Sequence, residues 1–300
     1  GVVGADTQQA SGVALSAGYE GDLVQAEAGT TPIGMGKTKF VGRLALTPKI
    51  GNSMRLSAFA ERKPVTDSVV SYAGTRSPTR DPVTGETMNG ERWGQVMRTG
   101  AGLGLSYDSN GSGFYGEGRY YRFNGTNVPK NSGFEGNVGG YFRAYRDAHS
   151  SLTLGLNVNS QSYDKSQNYF TFGNGGYFSP ESFISVGFPV NYVRDDERWN
   201  MGASFTPGFQ SYKEGKSDLY PMDPTAQGEL NALKSQDNDV RSYFDSLSKT
   251  GFALSAQGSL YYKVTGQTRV GGDVSYNTFG SYDELRSMIG VRQSFGSSGK

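Results

Sequence analysis

The side chains best equipped for chemistry in this 300-residue sequence recur at every second position of extended segments. Arg43, Arg55, Arg98, Glu117, Arg119, Glu135, Arg143, Arg269, Asp273, Arg286 and Arg292 all sit between apolar neighbours, and Tyr121 and Tyr141 keep the same alternation. Such a pattern assembles no nucleophile beside a base. It lines one face of the segments with donors and acceptors, a wet and polar surface. Hydrolytic arrangements fit poorly: His149 is the sole histidine and falls in a short turn, away from any rim where a catalytic triad would gather. With 28 acidic residues, many carboxylate pairs suited to glycosidic cleavage exist, and spacing selects none of them. The stretch GMGKT (34–38) resembles the end of a phosphate-binding loop, but the required first glycine falls at Thr31 and no helix follows. Cysteine is absent, which excludes thiol nucleophiles and thiolate metal sites; neither a metal nor a cofactor is expected. Basic and acidic residues nearly cancel, 29 against 28, with no basic run, so nucleic acid is not an expected partner.

One further stretch carries unusual side chains. NYFTFGNGGYFSP (168–180) places five aromatic rings and three glycines in thirteen positions, with neither helical spacing nor strand alternation.

The elements that must position these groups are strands. In SLTLGLNVNSQ, Leu152, Leu154, Leu156 and Val158 alternate with polar or small residues, the period of a strand with one apolar face. About thirteen such segments recur, near 12–19, 22–30, 38–48, 52–63, 94–108, 112–124, 132–146, 150–163, 181–193, 197–212, 250–264, 267–279 and 283–296. Most are longer than the ~5–6 residues of an ordinary strand and reach the ~9–11 that a tilted strand needs to cross a bilayer. Short turns (48–53, 108–112, 146–150, 194–198, 264–267) interleave with long connections (64–93, 164–180, 213–249). This is the up-and-down meander of a transmembrane antiparallel β-barrel, with short periplasmic turns and long extracellular loops. An arginine facing lipid at the midplane costs ~2–4 kcal/mol, so the charged parity must face the lumen. A soluble sandwich would have shorter strands, and a propeller would show a repeat that is missing here. No apolar run is long enough for a membrane-spanning helix. Within 220–247, Asp223 before Pro224 is a helix-start signal, and Leu230, Leu233, Val240, Tyr243, Phe244 and Leu247 fall near helical spacing, which predicts a short helix or helix pair above the barrel mouth. The whole chain, 1–300, reads as one barrel domain, with 296–300 a tail. Thirteen strands is an odd number, whereas bacterial barrels have even ones, so about 16 are expected in the complete barrel.

KPVTDSVVSYAGTR (63–76), RDPVTGET (80–87), SYDKSQNYFTFGNGGYFSPESFISVGFPV (162–190), YPMDP (220–224) and AGTTPIG (28–34) together resemble the C-terminal domain of cellulose synthase operon protein C. The resemblance runs in order along nearly the whole chain. SPTR (77–80) and MNGER (88–92) depart from it as small insertions in the first long loop. It implies a 16-stranded barrel in the bacterial outer membrane, bounded by lipid and lipopolysaccharide, whose first strands lie upstream of this chain. Its cargo is cellulose, a β-1,4-glucan, or a phosphoethanolamine-modified form. Its partners are a periplasmic tetratricopeptide-repeat region of the same protein and the inner-membrane cellulose synthase complex. On this reading the inward set supplies hydrogen-bonding groups and aromatic platforms along the path. Tyr169, Phe170, Phe172, Tyr177 and Phe178 lie at the extracellular mouth, where they either grip sugar faces or pack the loop shut. Asp67, Tyr72 and Asp81 are the gate candidates of the first long loop. A general diffusion or sugar-uptake porin is the alternative, and an enzymatic role is not expected.

Overall fold

The structure is a computed structural model that describes residues 9–77 and 90–293. Successive side chains of a strand point to opposite faces, so long segments with one apolar parity sort their side chains most simply by pairing in order. They do so here. β1 (Ser16–Glu20), β2 (Val24–Thr30), β3 (Phe40–Leu46), β4 (Met54–Pro64), β5 (Arg92–Ser109), β6 (Ser112–Thr126) and β7 (Val128–Arg146) each pair with the next. The path continues through β8 (Ser150–Tyr163), β9 (Ser182–Gly187, resuming as Val190–Asp195), β10 (Trp199–Glu214), β11 (Leu247–Lys263), β12 (Thr268–Asn277) and β13 (Glu284–Gln293). Every ladder is antiparallel, and the sheet counts 16 strand segments once the second half of β9 and the short pieces Lys49–Ile50 and Thr75–Arg76 are included. The long path matches the thirteen segments read from the sequence. Among the described residues no ladder joins β1 to β13.

β9 breaks at Phe188 and Pro189 because proline has no N–H to give the ladder. The neighbouring strands bridge the gap: Gly155 N–H donates to the Pro189 carbonyl at 2.9 Å, and Phe188 N–H to that of Pro207 at 2.9 Å.

The apolar parity lies on the outside. Leu103 is 71% exposed, Phe142 54% and Leu156 47%, with Phe114, Phe134, Ile184, Phe205, Phe252, Leu260, Val274 and Leu285 exposed beside them. A soluble sandwich would bury this face, and water-soluble monomers do not carry an apolar band of this extent. Hydrocarbon is the solvent such a wall fits.

Among the described residues, a conventional core exists only at the long-loop end of the strands. Val65, Val70, Trp93, Val96, Tyr121, Phe123, Val128, Tyr163, Phe172, Tyr177, Leu219, Tyr220, Ala226 and Leu230 pack together there, joining strand ends to the connections 65–77, 164–181 and 215–246. The connection 65–77 contains α1 (Val69–Tyr72), whose N-cap Ser68 forms a capping box with Ser71. In 215–246, α2 (Pro224–Gln236) starts where the sequence indicates: the Asp223 carboxylate accepts the Ala226 N–H at 3.0 Å, and Pro224 opens the helix. Of the two forms expected there, a short helix or a helix pair, the single short helix forms. After α2, Tyr243–Phe244 pairs with Ser217–Asp218 as a small ribbon instead.

Candidate conduit and cap

Counting by two from Arg55 along β4 reaches Glu61 and Lys63, and these complete the network that the inward charges form. Glu61, its side chain 2% exposed, accepts hydrogen bonds from Arg43 at 2.7 Å and from the Tyr121 hydroxyl at 2.7 Å. Lys63 lies 3.1 Å and Arg98 3.6 Å from the same carboxylate. Arg98 also approaches Glu135 at 3.9 Å, and Arg119 does so at 3.6 Å. Tyr163 donates to Glu135 at 2.9 Å, and Arg119 pairs with Glu117. The cross-strand register explains the gathering: Arg43 faces Glu61 across β3 and β4, and Arg119 faces Glu135 across β6 and β7. Phe59 and Tyr121 lie beneath the guanidinium groups of Arg43 and Arg98, at 4.2 and 4.7 Å. Glu61, Lys63 and Tyr163 are the members that were not singled out in the sequence.

The remaining charged candidates fall elsewhere. Asp273 is held by Arg292 at 3.2 Å and by the Tyr261 hydroxyl, Arg292 itself lying 3.9 Å over the Tyr261 ring. Arg286 pairs with Glu284 at 2.6 Å on β13. Tyr141 donates to Asp108 at 2.7 Å near the short-turn end, where Arg143 also lies, and Arg55 faces Ser106 near that end of β4. Arg269 faces Arg292 across β12 and β13. The structure therefore divides the inward set into one central network and separate smaller groups.

The rings of 168–180 pack the loop. Phe172 stands edge-on to Trp93 with centroids 5.4 Å apart, and Tyr177 stacks on Phe123 at 5.3 Å. Phe178 stands edge-on to Phe183 at 5.8 Å and to Tyr212 at 5.2 Å, while Tyr169 stacks flat on Phe244 at 3.9 Å. Phe170 alone of the five remains substantially exposed. Gly173 and Gly176 adopt positive φ, 93° and 64°, which a side chain would resist. Polar contacts latch this loop to the first one: Asp67 accepts the Phe178 N–H at 2.9 Å, and the Ser68 hydroxyl donates to the Gly176 carbonyl. Burial raises the Asp67 carboxyl above its usual range, against the Phe178 N–H and the Arg98 charge, which favour the anion. Burial, helped by Glu214 and Asp245, likewise pushes the Tyr169 hydroxyl up to about 12. Tyr72 is half-buried in α1, and Asp81 lies outside the described residues.

An antiparallel meander with an apolar outer face, a charged and hydrogen-bonding inner face and loops packed over one end defines the class of transmembrane β-barrels. The family model described as "Cellulose synthase operon protein C C-terminus" matches residues 2–296. This chain belongs to that family. Relatives named cellulose synthase operon protein C include those of Xanthomonas axonopodis pv. citri (31% identical, covering 95% of this chain and 19% of the relative) and Pseudomonas fluorescens (30%, covering 97% and 22%). The Escherichia coli K12 relative is 27% identical, covering 96% of this chain and 24% of its own. The chain thus spans about a fifth to a quarter of the length of the curated relatives it matches. Among solved structures, a "bacterial polysaccharide outer membrane secretin" shares the fold with a TM-score of 0.52 at 10% identity, over 93% of this chain and 77% of that one.

Proposed function

We propose that the inner face is the path by which cellulose, or a modified β-1,4-glucan, crosses the bacterial outer membrane. The observation that carries this reading is the sorting of one wall into opposite faces: Leu103 and Leu156 open outward, whereas Glu61 and Tyr121 are buried on the inside. A glucan presents apolar CH faces between equatorial hydroxyls, and the inner face offers rings and hydrogen-bonding groups to match both. Arg43, Arg98, Glu117, Arg119, Tyr121 and Glu135 line the path beneath the cap; Arg55, Tyr141, Arg143, Arg269, Asp273, Arg286 and Arg292 line the rest. The three connections that form the cap act as a lid, opening as the polymer arrives. Closure of the ladder between β1 and β13, directly or through further strands, is part of this reading. So are lipopolysaccharide around the wall, the tetratricopeptide-repeat region and the inner-membrane synthase as partners, and an export role in place of catalysis. The packed cap argues against a standing-open porin.

The test is genetic and chemical. Deleting this segment in frame abolishes the cellulase-sensitive extracellular glucan while synthase activity in membranes persists, and re-expression restores export. Unchanged secretion after deletion contradicts the reading.

A further inference from the structure

The charged network occupies one part of the inner face, and a patch elsewhere on that face carries no charge. Around a cavity of about 330 Å³ lie Asn157, Asn159 and Gln161 of β8, Ser185 of β9, Thr206 of β10, Ser255 of β11 and Asn277 of β12, together with the rings of Phe178, Phe183 and Phe279. This volume is within the ~300–1,000 Å³ range of small-ligand sites. Among the described residues no ionisable side chain lines it.

Phe279 is fixed in advance. The Gln210 side chain accepts the Gly280 N–H at 2.7 Å and donates to the carbonyls of Thr278 at 3.3 Å and Gly280 at 3.2 Å. Asn277 donates to the Phe279 carbonyl at 3.0 Å. The ring then lies against a glycine pair in register on β9 and β10, Gly187 and Gly208, where a Cβ on Gly208 would come within 2.9 Å of it. Asn159 donates to Asn157, which in turn donates to Asn137 and to the Tyr115 hydroxyl, so this amide row is also oriented. By contrast, Gln161, Ser185, Thr206 and Ser255 form no side-chain hydrogen bond within the described residues and face the cavity with their capacity unspent.

From this we infer that the neutral patch around this cavity, contributed by β8–β12, is a glucan subsite: it takes an uncharged β-1,4-linked segment, with Phe279 and Phe178 against sugar faces and the free amide and hydroxyls on equatorial hydroxyls. The inference rests on the export reading and adds to it where the polymer touches the wall. Neutral groups bind through modest hydrogen bonds, so the subsite guides without trapping. The charged groups of the central network are engaged in ion pairs with one another, whereas the unspent groups of this patch are free for the cargo.

Calorimetry of the full-length protein in lipid nanodiscs tests this with cellohexaose and maltohexaose. Cellohexaose binds and maltohexaose binds at least tenfold more weakly. Phe279→Ala, a loop change outside every ladder, weakens cellohexaose at least fivefold; the double variant Ser185→Ala with Ser255→Ala, which alters no internal hydrogen bond, weakens it about fivefold, the loss of about one hydrogen bond. Absence of cellohexaose binding, equal binding of both sugars, or wild-type affinity in both variants overturns the subsite. Deletion that leaves glucan secretion intact fails the export reading separately, whatever the calorimetry shows.

Discussion

Leu103 and Trp93 lie on the same strand, β5, yet 71% of Leu103 is exposed and 1% of Trp93. The wall around Leu103 turns its apolar atoms outward and its charges inward; the cap around Trp93 buries apolar atoms in the ordinary way. One chain follows two solvents. Where hydrocarbon surrounds it, stability comes from strand-to-strand backbone hydrogen bonds and an outward apolar band. Where water surrounds the loop end, stability comes from packed rings. The difference separates what must be permanent from what can move, because the cap is built from connections and the wall from ladders.

Predictions follow that contrast. Trp93→Ala removes the cap's largest buried side chain and its contact with Phe172, and is expected to cost about 3–5 kcal/mol, confined to the cap. Amide exchange in 164–181 and 215–246 speeds up while the strands stay protected; equal loss of protection in the wall would merge the two regions into one cooperative unit. Leu103→Arg puts a charge into lipid and costs about 2–4 kcal/mol in urea unfolding from liposomes, whereas Ser57→Arg, on the inner face of the neighbouring strand, costs under about 1 kcal/mol. Glu61→Gln leaves Arg43, Lys63 and Arg98 without their shared carboxylate and costs about 1–3 kcal/mol, because the three cations are partly exposed and solvent screens them.

The smallest effect is one of pH. Asp67 has a folded-state value raised by burial, with Arg98, Glu135, Glu284, Tyr163 and Tyr282 as its charged and titratable surroundings. A raised carboxyl binds its proton more tightly in the closed cap than in the opened loop. The latch is therefore strongest below the ordinary carboxylate value and weakens as pH rises through the raised one. Exchange at the Phe178 amide should quicken with pH beyond its intrinsic trend, and Asp67→Asn should abolish that excess.

Much of the wall could be read from the sequence because strand periodicity is local. Leu152, Leu154 and Leu156 declare their face within five residues, and the parity carries Arg98, Arg119 and Glu135 to the opposite side. Even so, a charged neighbour hid Glu61: in AFAERKP both parities carry charge, and only counting from Arg55 assigns it. The cap could not be read in this way. Its core draws Val70, Phe172, Tyr177, Leu219 and Leu230 from separate connections and Trp93 from the end of β5, with no shared period, and the Asp67 to Phe178 latch spans 111 residues. The sequence left open whether the rings of 168–180 grip or pack; in this structure Phe172 and Tyr177 pack. Charge served as the marker of the interior, and for that reason the neutral amides of β8 and Phe279 were passed over.

The central claim is the sorting of faces, and the absence of cysteine from these 300 residues makes it directly testable. Single cysteines at Leu156, Asn157, Val158 and Asn159, each in the full-length protein in proteoliposomes, can be challenged with a small water-soluble thiol reagent and with a lipid-soluble one. The account predicts alternation: Asn157→Cys and Asn159→Cys react with the water-soluble reagent, and Leu156→Cys and Val158→Cys with the lipid-soluble one. Uniform reactivity along the four positions, or the opposite alternation, would contradict it.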